Sequence, residues 1–149
     1  MTPLLQQRED VFAYTVISRA LERSVDGNHV VDALFVGLMA VQAAVYAIIL
    51  DKVKEYPAIG WAPLLGAFIL AILGTALTVF VREGPHLRSF VADFPDDPEG
   101  TRSYYIETYI ANARLNDQLR ATKTIILGLA IAMTVIPLVI ATAWRAGLV

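Results

Sequence analysis

The chain has 149 residues and a mass of 16.3 kDa, the size of one ordinary domain. Its apolar share is 56 %, its charged share 17 % and its mean hydropathy +0.56, against roughly 45–50 % apolar and about 25 % charged residues in soluble domains. This composition excludes an ordinary soluble fold, because the chain has too few polar residues to cover its surface. The net charge of −2 gives no electrostatic argument for nucleic-acid binding. Because the chain has no cysteine, it can form neither a disulfide nor a thiolate site.

Three uncharged stretches are long enough to cross a bilayer. They cover residues 33–50, 56–81 and 124–144, with 18, 26 and 21 residues. A spanning helix needs about 20 mostly apolar residues, and in lipid its backbone must be hydrogen-bonded internally. We therefore predict a single all-α integral membrane domain over 1–149. Its predicted transmembrane helices are TM1 at 30–50, TM2 at 58–81 and TM3 at 124–144.

The segment before TM1 is predicted to be an amphipathic helix over residues 1–27. Its apolar residues fall on one broad helical face, and the run Asp26-Gly27-Asn28 is expected to end it, with Asn28 as the N-cap of TM1. This helix is expected to lie on the inner membrane surface or on the protein's own cytoplasmic helix. The alternative is a docking helix for another subunit.

The connection after TM2 divides into a linker and a helix. Residues 82–100 hold three prolines and two glycines, so we predict a linker there. From residue 101 no helix breaker occurs before Pro137, which predicts one helix over 101–144. Its first part, 101–123, is expected to form a cytoplasmic helical stalk continuous with TM3.

Basic residues are distributed unevenly about the spans. Nine Lys and Arg fall before TM1 or between TM2 and TM3, and three fall on the other side. Basic residues are retained on the cytoplasmic side, so the N-terminus is expected in the cytoplasm and the C-terminus outside. Trp61 and Trp144, with Tyr56 nearby, then lie at the outer boundary, where aromatic side chains are favoured.

Small and polar residues inside the spans are the candidate packing or pore positions. Small side chains let helices approach closely in lipid. Gln42, near the middle of TM1, is expected to hydrogen-bond another helix, or alternatively to contact a pore or substrate. Pro137 favours a kink in TM3, because proline lacks the backbone N–H that continues the helix. Thr134 is expected to form a hydrogen bond with the backbone that the kink exposes. The small residues form one stripe on TM1 (Ala33, Gly37, Ala40, Ala44, Ala47) and another on TM2 (Ala67, Ala71, Gly74, Thr78).

Apolar side chains lie on two sides of the stalk, and one neighbour cannot cover both. We expect the N-terminal helix on one side and another chain on the other. Two alternatives are simple core contacts within one protomer and a planar-ligand site formed by the tyrosines with Arg102, Arg114 or Asn116. One face carries Tyr105, Ile106, Tyr109, Ile110 and Ala113, while Tyr104, Leu115 and Leu119 point elsewhere.

Enzyme and cofactor motifs are absent from the sequence, so neither catalysis nor a cofactor is expected. Asp26, His29 and Asp32 flank the start of TM1 but lack a recognised metal-ligand spacing, and capping or solvation is expected instead. The connection 82–123 holds six basic and seven acidic residues, which argues against nucleic-acid binding.

The layout of residues 30–144 resembles the small helical membrane effectors of bacterial anti-phage systems, especially the Pycsar-type transmembrane effectors. Two closely spaced spans are followed by Gly84-Pro85, by Phe90 and Phe94, and by a tyrosine-bearing helix in which Asn116 and Lys123 lead into the last span. The resemblance implies a bacterial inner-membrane protein that impairs the membrane when a nucleotide signal or a partner activates it. No nucleotide-sensing module is recognisable in this chain.

Two classes of function are therefore expected. The first is an oligomeric membrane effector that forms a gated pore or perturbs the inner membrane, with copies of itself, lipid and a protein bound at the stalk as partners. The alternative is a non-enzymatic scaffold or accessory subunit of a larger membrane complex. A small membrane enzyme is the third hypothesis.

Overall fold

The computed structural model describes residues 3–50, 58–84 and 98–146, and every regular element within these ranges is helical. The elements are α1 (Pro3–Leu50), α2 (Ala58–Ala76), a 3₁₀ helix (Leu77–Phe80) and α3 (Pro98–Arg145). The prediction of an all-α fold is confirmed for this part of the chain.

Within the described residues, three helices are long and apolar enough to cross a membrane: Thr15–Ala47, Ala62–Phe80 and Tyr104–Ile140. The prediction of three apolar helices of spanning length is therefore confirmed. Other predictions lie outside the described residues. They concern most of the linker (85–97) and the side chains of Tyr56, Trp61 and Trp144.

The predicted helix break at Asp26-Gly27-Asn28 is wrong, because α1 continues through it for 48 residues in all. Asn28 is not an N-cap. Its Nδ2 donates to the carbonyl of Ser24 one turn earlier, at 2.9 Å. A glycine inside a helix costs only about 1 kcal/mol relative to alanine, which the packing of one buried helical face can offset.

That buried face of α1 recurs every three or four residues. Such spacing averages 3.5 residues, which keeps one narrow line of side chains, here called the seam, in contact with neighbouring helices. The seam contains polar residues among the apolar ones, so it is not visible in a search for apolar periodicity. Its members are Leu21, Ser24, Asn28, Val31, Phe35, Gln42 and Val45, with the partly buried Leu38.

The early part of α1 does not bury the whole apolar face predicted for it. Phe12 is 71 % exposed and Val16 50 % exposed, whereas Leu21 is buried. The broad face is therefore divided between a buried seam and apolar side chains that remain on the surface.

The chain forms two compact units. The first, Met1–Asn28 with Phe80–Leu119, has a core of Leu21, Tyr105 and Tyr109. The second, His29–Val79 with Arg120–Val149, holds the apolar core of the predicted spans. Its members are Val31, Phe35, Ala71 and Leu127, with Leu38, Met39 and Ile126 packed against them.

Candidate functional site

A buried ion pair joins three elements of the second unit. Lys123 Nζ on α3 donates to Asp32 Oδ1 on α1 at 2.7 Å and to Thr78 Oγ1 of the 3₁₀ helix at 3.2 Å. The Lys123 side chain is fully buried, and that of Asp32 is 15 % exposed. We call these residues the ion-pair cluster. Because a buried charge is costly unless it is paired, the cluster holds the three elements in one register.

Thr78 Oγ1 both accepts and donates: a lone pair accepts the hydrogen bond from Lys123, and its own proton is donated elsewhere. Its Oγ1 donates to the carbonyl of Thr75 at 2.7 Å, and Thr75 Oγ1 donates to that of Ala71 at 3.0 Å. Asp32 Oδ2 is buried and has no hydrogen-bond partner within the described part of the chain. Asp32 therefore makes a one-sided contact with Lys123, through Oδ1 alone.

A second polar contact in the same unit joins the middle of α1 to α3. Gln42 Nε2 donates to Thr134 Oγ1 at 2.9 Å, and Thr134 Oγ1 donates to the carbonyl of Ala130 at 2.7 Å. Both side chains are buried. The structure thus places Gln42 in a contact between helices. Pro137 is also buried, and α3 continues through it to Arg145.

The two predicted stripes of small residues have different environments. On α2, Ala67, Ala71 and Gly74 are buried within the chain, and a methyl group on Gly74 would overlap the ring of Phe35. On α1 every member is exposed, and a methyl group on Gly37 would meet no atom within 4 Å. The stripe of α2 therefore packs inside one protomer, whereas that of α1 (Ala33, Gly37, Ala40, Ala44, Ala47) remains on the surface.

In the first unit, a group of buried polar residues joins α1, α3 and the segment after the 3₁₀ helix. Asn116 Nδ2 donates to the Arg82 carbonyl and Asn116 Oδ1 accepts from the Arg82 amide, both at 2.8 Å. Asn28 Nδ2 donates to the Asn116 carbonyl at 3.0 Å, and Ser24 Oγ lies 3.1 Å from Asp117 Oδ1. Because both ends of the Asn116 amide bind the Arg82 backbone, Asn116 is not available to the planar-ligand site considered from the sequence.

The tyrosines of the predicted stalk divide between the core and the surface. Tyr105 and Tyr109 are each 7 % exposed and pack with Leu21, their ring centroids 6.1 Å apart. Tyr104 is 59 % exposed, and Ile110 and Leu115 are also exposed. One side of this segment thus packs on α1, and another carries apolar surface; Leu119 is half-buried.

Sequence reasoning missed the pairing of Asp32 with Lys123, although a signal for it was present. The two residues have opposite charges and begin TM1 and TM3, at the ends predicted to share one membrane face. The sequence instead groups Asp32 with Asp26 and His29 at the start of TM1, where capping or solvation is expected. The residues that the structure describes contain no group of three or more acidic or histidine side chains able to hold a metal ion.

Comparison with known proteins gives no match: neither a family model, nor a curated protein, nor a solved structure matches the chain.

Proposed function

We propose that the chain is a multi-pass protein of the bacterial inner membrane, with its N-terminus in the cytoplasm and its C-terminus outside. Within the most hydrophobic windows of the three long helices, only 22 %, 22 % and 28 % of residues are buried. Most of their apolar surface is thus available to lipid hydrocarbon. Gln42, Thr134, Lys123 and Asp32 each make at least one side-chain hydrogen bond or ion pair between or within the helices, as expected where no water is available to them.

Within the membrane, copies of this chain associate through the small-residue stripe of α1. The observation that carries this step is the exposure of every residue of that stripe, while the equivalent stripe of α2 is buried. In lipid, where apolar contact alone gives no driving force, small residues favour association because backbones can approach closely. Ala40 and Ala44 are one helical turn apart near the centre of this surface.

The assembled copies then permeabilise or perturb the inner membrane when activated, which is the activity implied by the resemblance to anti-phage effectors. The exposed Tyr104 and Leu115, about three helical turns apart on one side of α3 in the first unit, offer a second apolar surface on which an activating protein or another copy can bind.

Substituting the stripe of α1 tests this function. Ala40→Leu puts a large side chain on the stripe, and Ala76→Leu makes the same change at an exposed position of α2. We expect Ala40→Leu to weaken self-association about tenfold, since a loss of about 1.4 kcal/mol corresponds to that factor. It should also reduce dye release from liposomes. Native mass spectrometry in detergent and fluorescence dequenching are the measurements.

Ala76→Leu should leave both readouts at the wild-type level. A wild-type protein that is monomeric, or that leaves vesicles intact under all activating conditions, contradicts the proposal. Equal effects of the two variants would show that the chain does not self-associate through the α1 stripe.

The exposed Tyr104, Ile110 and Leu115 also favour the second candidate function, a scaffold or accessory subunit. Purification in mild detergent distinguishes the two. A homogeneous homo-oligomer supports the effector, and other chains present in fixed stoichiometry support the scaffold.

A further inference from the structure

A second line of side chains follows α1 in the first unit, on the side roughly opposite the buried seam. Its members recur every three or four residues, the spacing that keeps one narrow line of side chains facing a neighbouring helix. Every one of them is exposed: Phe12, Val16, Arg19, Arg23 and Asp26. We call these five residues the outer line of α1.

The outer line has the same spacing as the small-residue stripe of α1 and leads into it. From Asp26, steps of four and three residues pass through Val30 to Ala33, the first member of the stripe. The stripe keeps this alternation as far as Ala47. Val30 is exposed, as is every member of the stripe. Along the sequence, the surface through which copies are proposed to associate therefore continues beyond the predicted TM1.

The outer line begins with two large apolar side chains. Phe12 is 71 % exposed and Val16 is 50 % exposed. Both precede the predicted TM1 by several helical turns of sequence, so they belong to the part of α1 that is expected in water. A protein surface that covers them would remove this apolar area from water.

Charged side chains occupy the rest of the outer line, and their charges balance. Arg19 and Arg23 are basic, whereas Asp26 and the neighbouring Glu22 are acidic. All four are exposed, and no ion pair joins any of them within the part of the chain that the structure describes. Each copy of the chain thus presents two positive and two negative charges here, so this surface is complementary to a second copy of itself.

We propose that two copies of the chain pack their α1 helices against each other along the outer line, parallel and in register, and that Arg23 of each copy pairs with Glu22 and Asp26 of the other. The inference rests on the proposed association of copies through the α1 stripe. Copies that share one orientation in the membrane align their α1 helices in parallel. In a parallel helix pair, each side chain of such a line inserts between four side chains of the facing helix. For Arg23 these four are Arg19, Glu22, Arg23 and Asp26 of the second copy.

The charges select the register, while the apolar and small residues supply most of the contact. A shift of one copy by seven residues would place Arg23 opposite Val16 or Val30. Its charge would then lie against an apolar side chain without a facing carboxylate. The arrangement in register is therefore favoured over its nearest alternatives.

Reversing the charges in opposite directions tests the pairing. Arg23→Glu makes the group acidic and Asp26→Arg makes it basic, so each variant should repel itself and attract the other. Full-length copies tagged with a donor or an acceptor fluorophore are mixed in detergent micelles, and Förster transfer between them measures the dissociation constant. We expect each variant alone to associate about three- to tenfold more weakly than the wild type. The mixture of the two variants should return to within about twofold of the wild type.

Salt and a matched control separate this pairing from other effects. At 1 M salt, where charges are screened beyond about 3 Å, the differences between the variants should largely disappear. Arg114→Glu makes the same charge change at an exposed position of α3 in the same unit and should leave the dissociation constant unchanged. Recovery in the mixture also requires that both charge-reversed variants are folded.

The pairing is overturned if Arg23→Glu associates as tightly as the wild type, or if the mixture associates no more tightly than either variant alone. An equal loss in Arg114→Glu would also overturn it, because net charge would then be the cause. If Ala40→Leu still weakens association in these cases, the α1 stripe stands and only the paired charges fail. A wild-type chain that does not associate contradicts both this inference and the proposed function.

Discussion

Replacing Lys123 with methionine should destabilise the folded chain by about 3–5 kcal/mol, the usual cost of leaving one member of a buried ion pair without its partner. Lys123 is fully buried, and its amine is the only described partner of the Asp32 carboxylate. Without it, the largely buried Asp32 carboxylate has lost its described partner. The free energy of unfolding, measured by denaturant titration in detergent micelles, gives the size of the effect.

The matched control removes both charges together. The double variant Asp32→Leu with Lys123→Met should recover to within about 1 kcal/mol of the wild-type stability, because buried pairs are often replaced by apolar side chains at little cost. Thr78 keeps its own hydrogen bond to Thr75 in that variant. If Lys123→Met alone is as stable as the wild type, the two groups are not buried against each other.

Adding one methyl group at Gly74 should also have a large effect. Gly74→Ala places a Cβ where the ring of Phe35 lies, and Phe35 is fully buried in the core of the second unit. Overpacking of this kind costs about 1–3 kcal/mol, because the ring or the backbone has to move. The same titration measures the loss.

The control for this prediction is the same substitution on α1. Gly37→Ala meets no atom within 4 Å, and alanine is favoured over glycine in a helix by about 1 kcal/mol. We therefore expect Gly37→Ala to be neutral or stabilising in the monomer. Equal losses at the two positions would show that α2 does not pack against Phe35 as described.

The positions of the long helices could be predicted because they follow from local properties. No breaker interrupts the chain between residue 101 and Pro137, and α3 indeed runs from Pro98 to Arg145. The error at residues 26–28 has a physical cause. Asp, Gly and Asn resemble a turn when they are judged by residue type, but here Asn28 occupies a buried seam and its amide serves two carbonyls.

The polar contacts were less accessible to sequence reasoning. Asp32 and Lys123 could be matched by charge and predicted topology, whereas the pairing of Gln42 with Thr134 depends on the register of two helices. The double hydrogen bond from Asn116 to the Arg82 backbone has no local signal. It depends on where the segment after the 3₁₀ helix passes α3, which only the folded chain determines.

The central claim, that the apolar helices cross a bilayer, is tested most directly by cysteine labelling, because the chain has no cysteine of its own. Glu107→Cys and Leu129→Cys both put a thiol at an exposed position of α3, the first in the predicted stalk and the second in TM3. In unsealed membrane sheets, a membrane-impermeant maleimide should label Glu107→Cys and leave Leu129→Cys unlabelled until detergent is added. Labelling of both at the same rate without detergent would contradict the account.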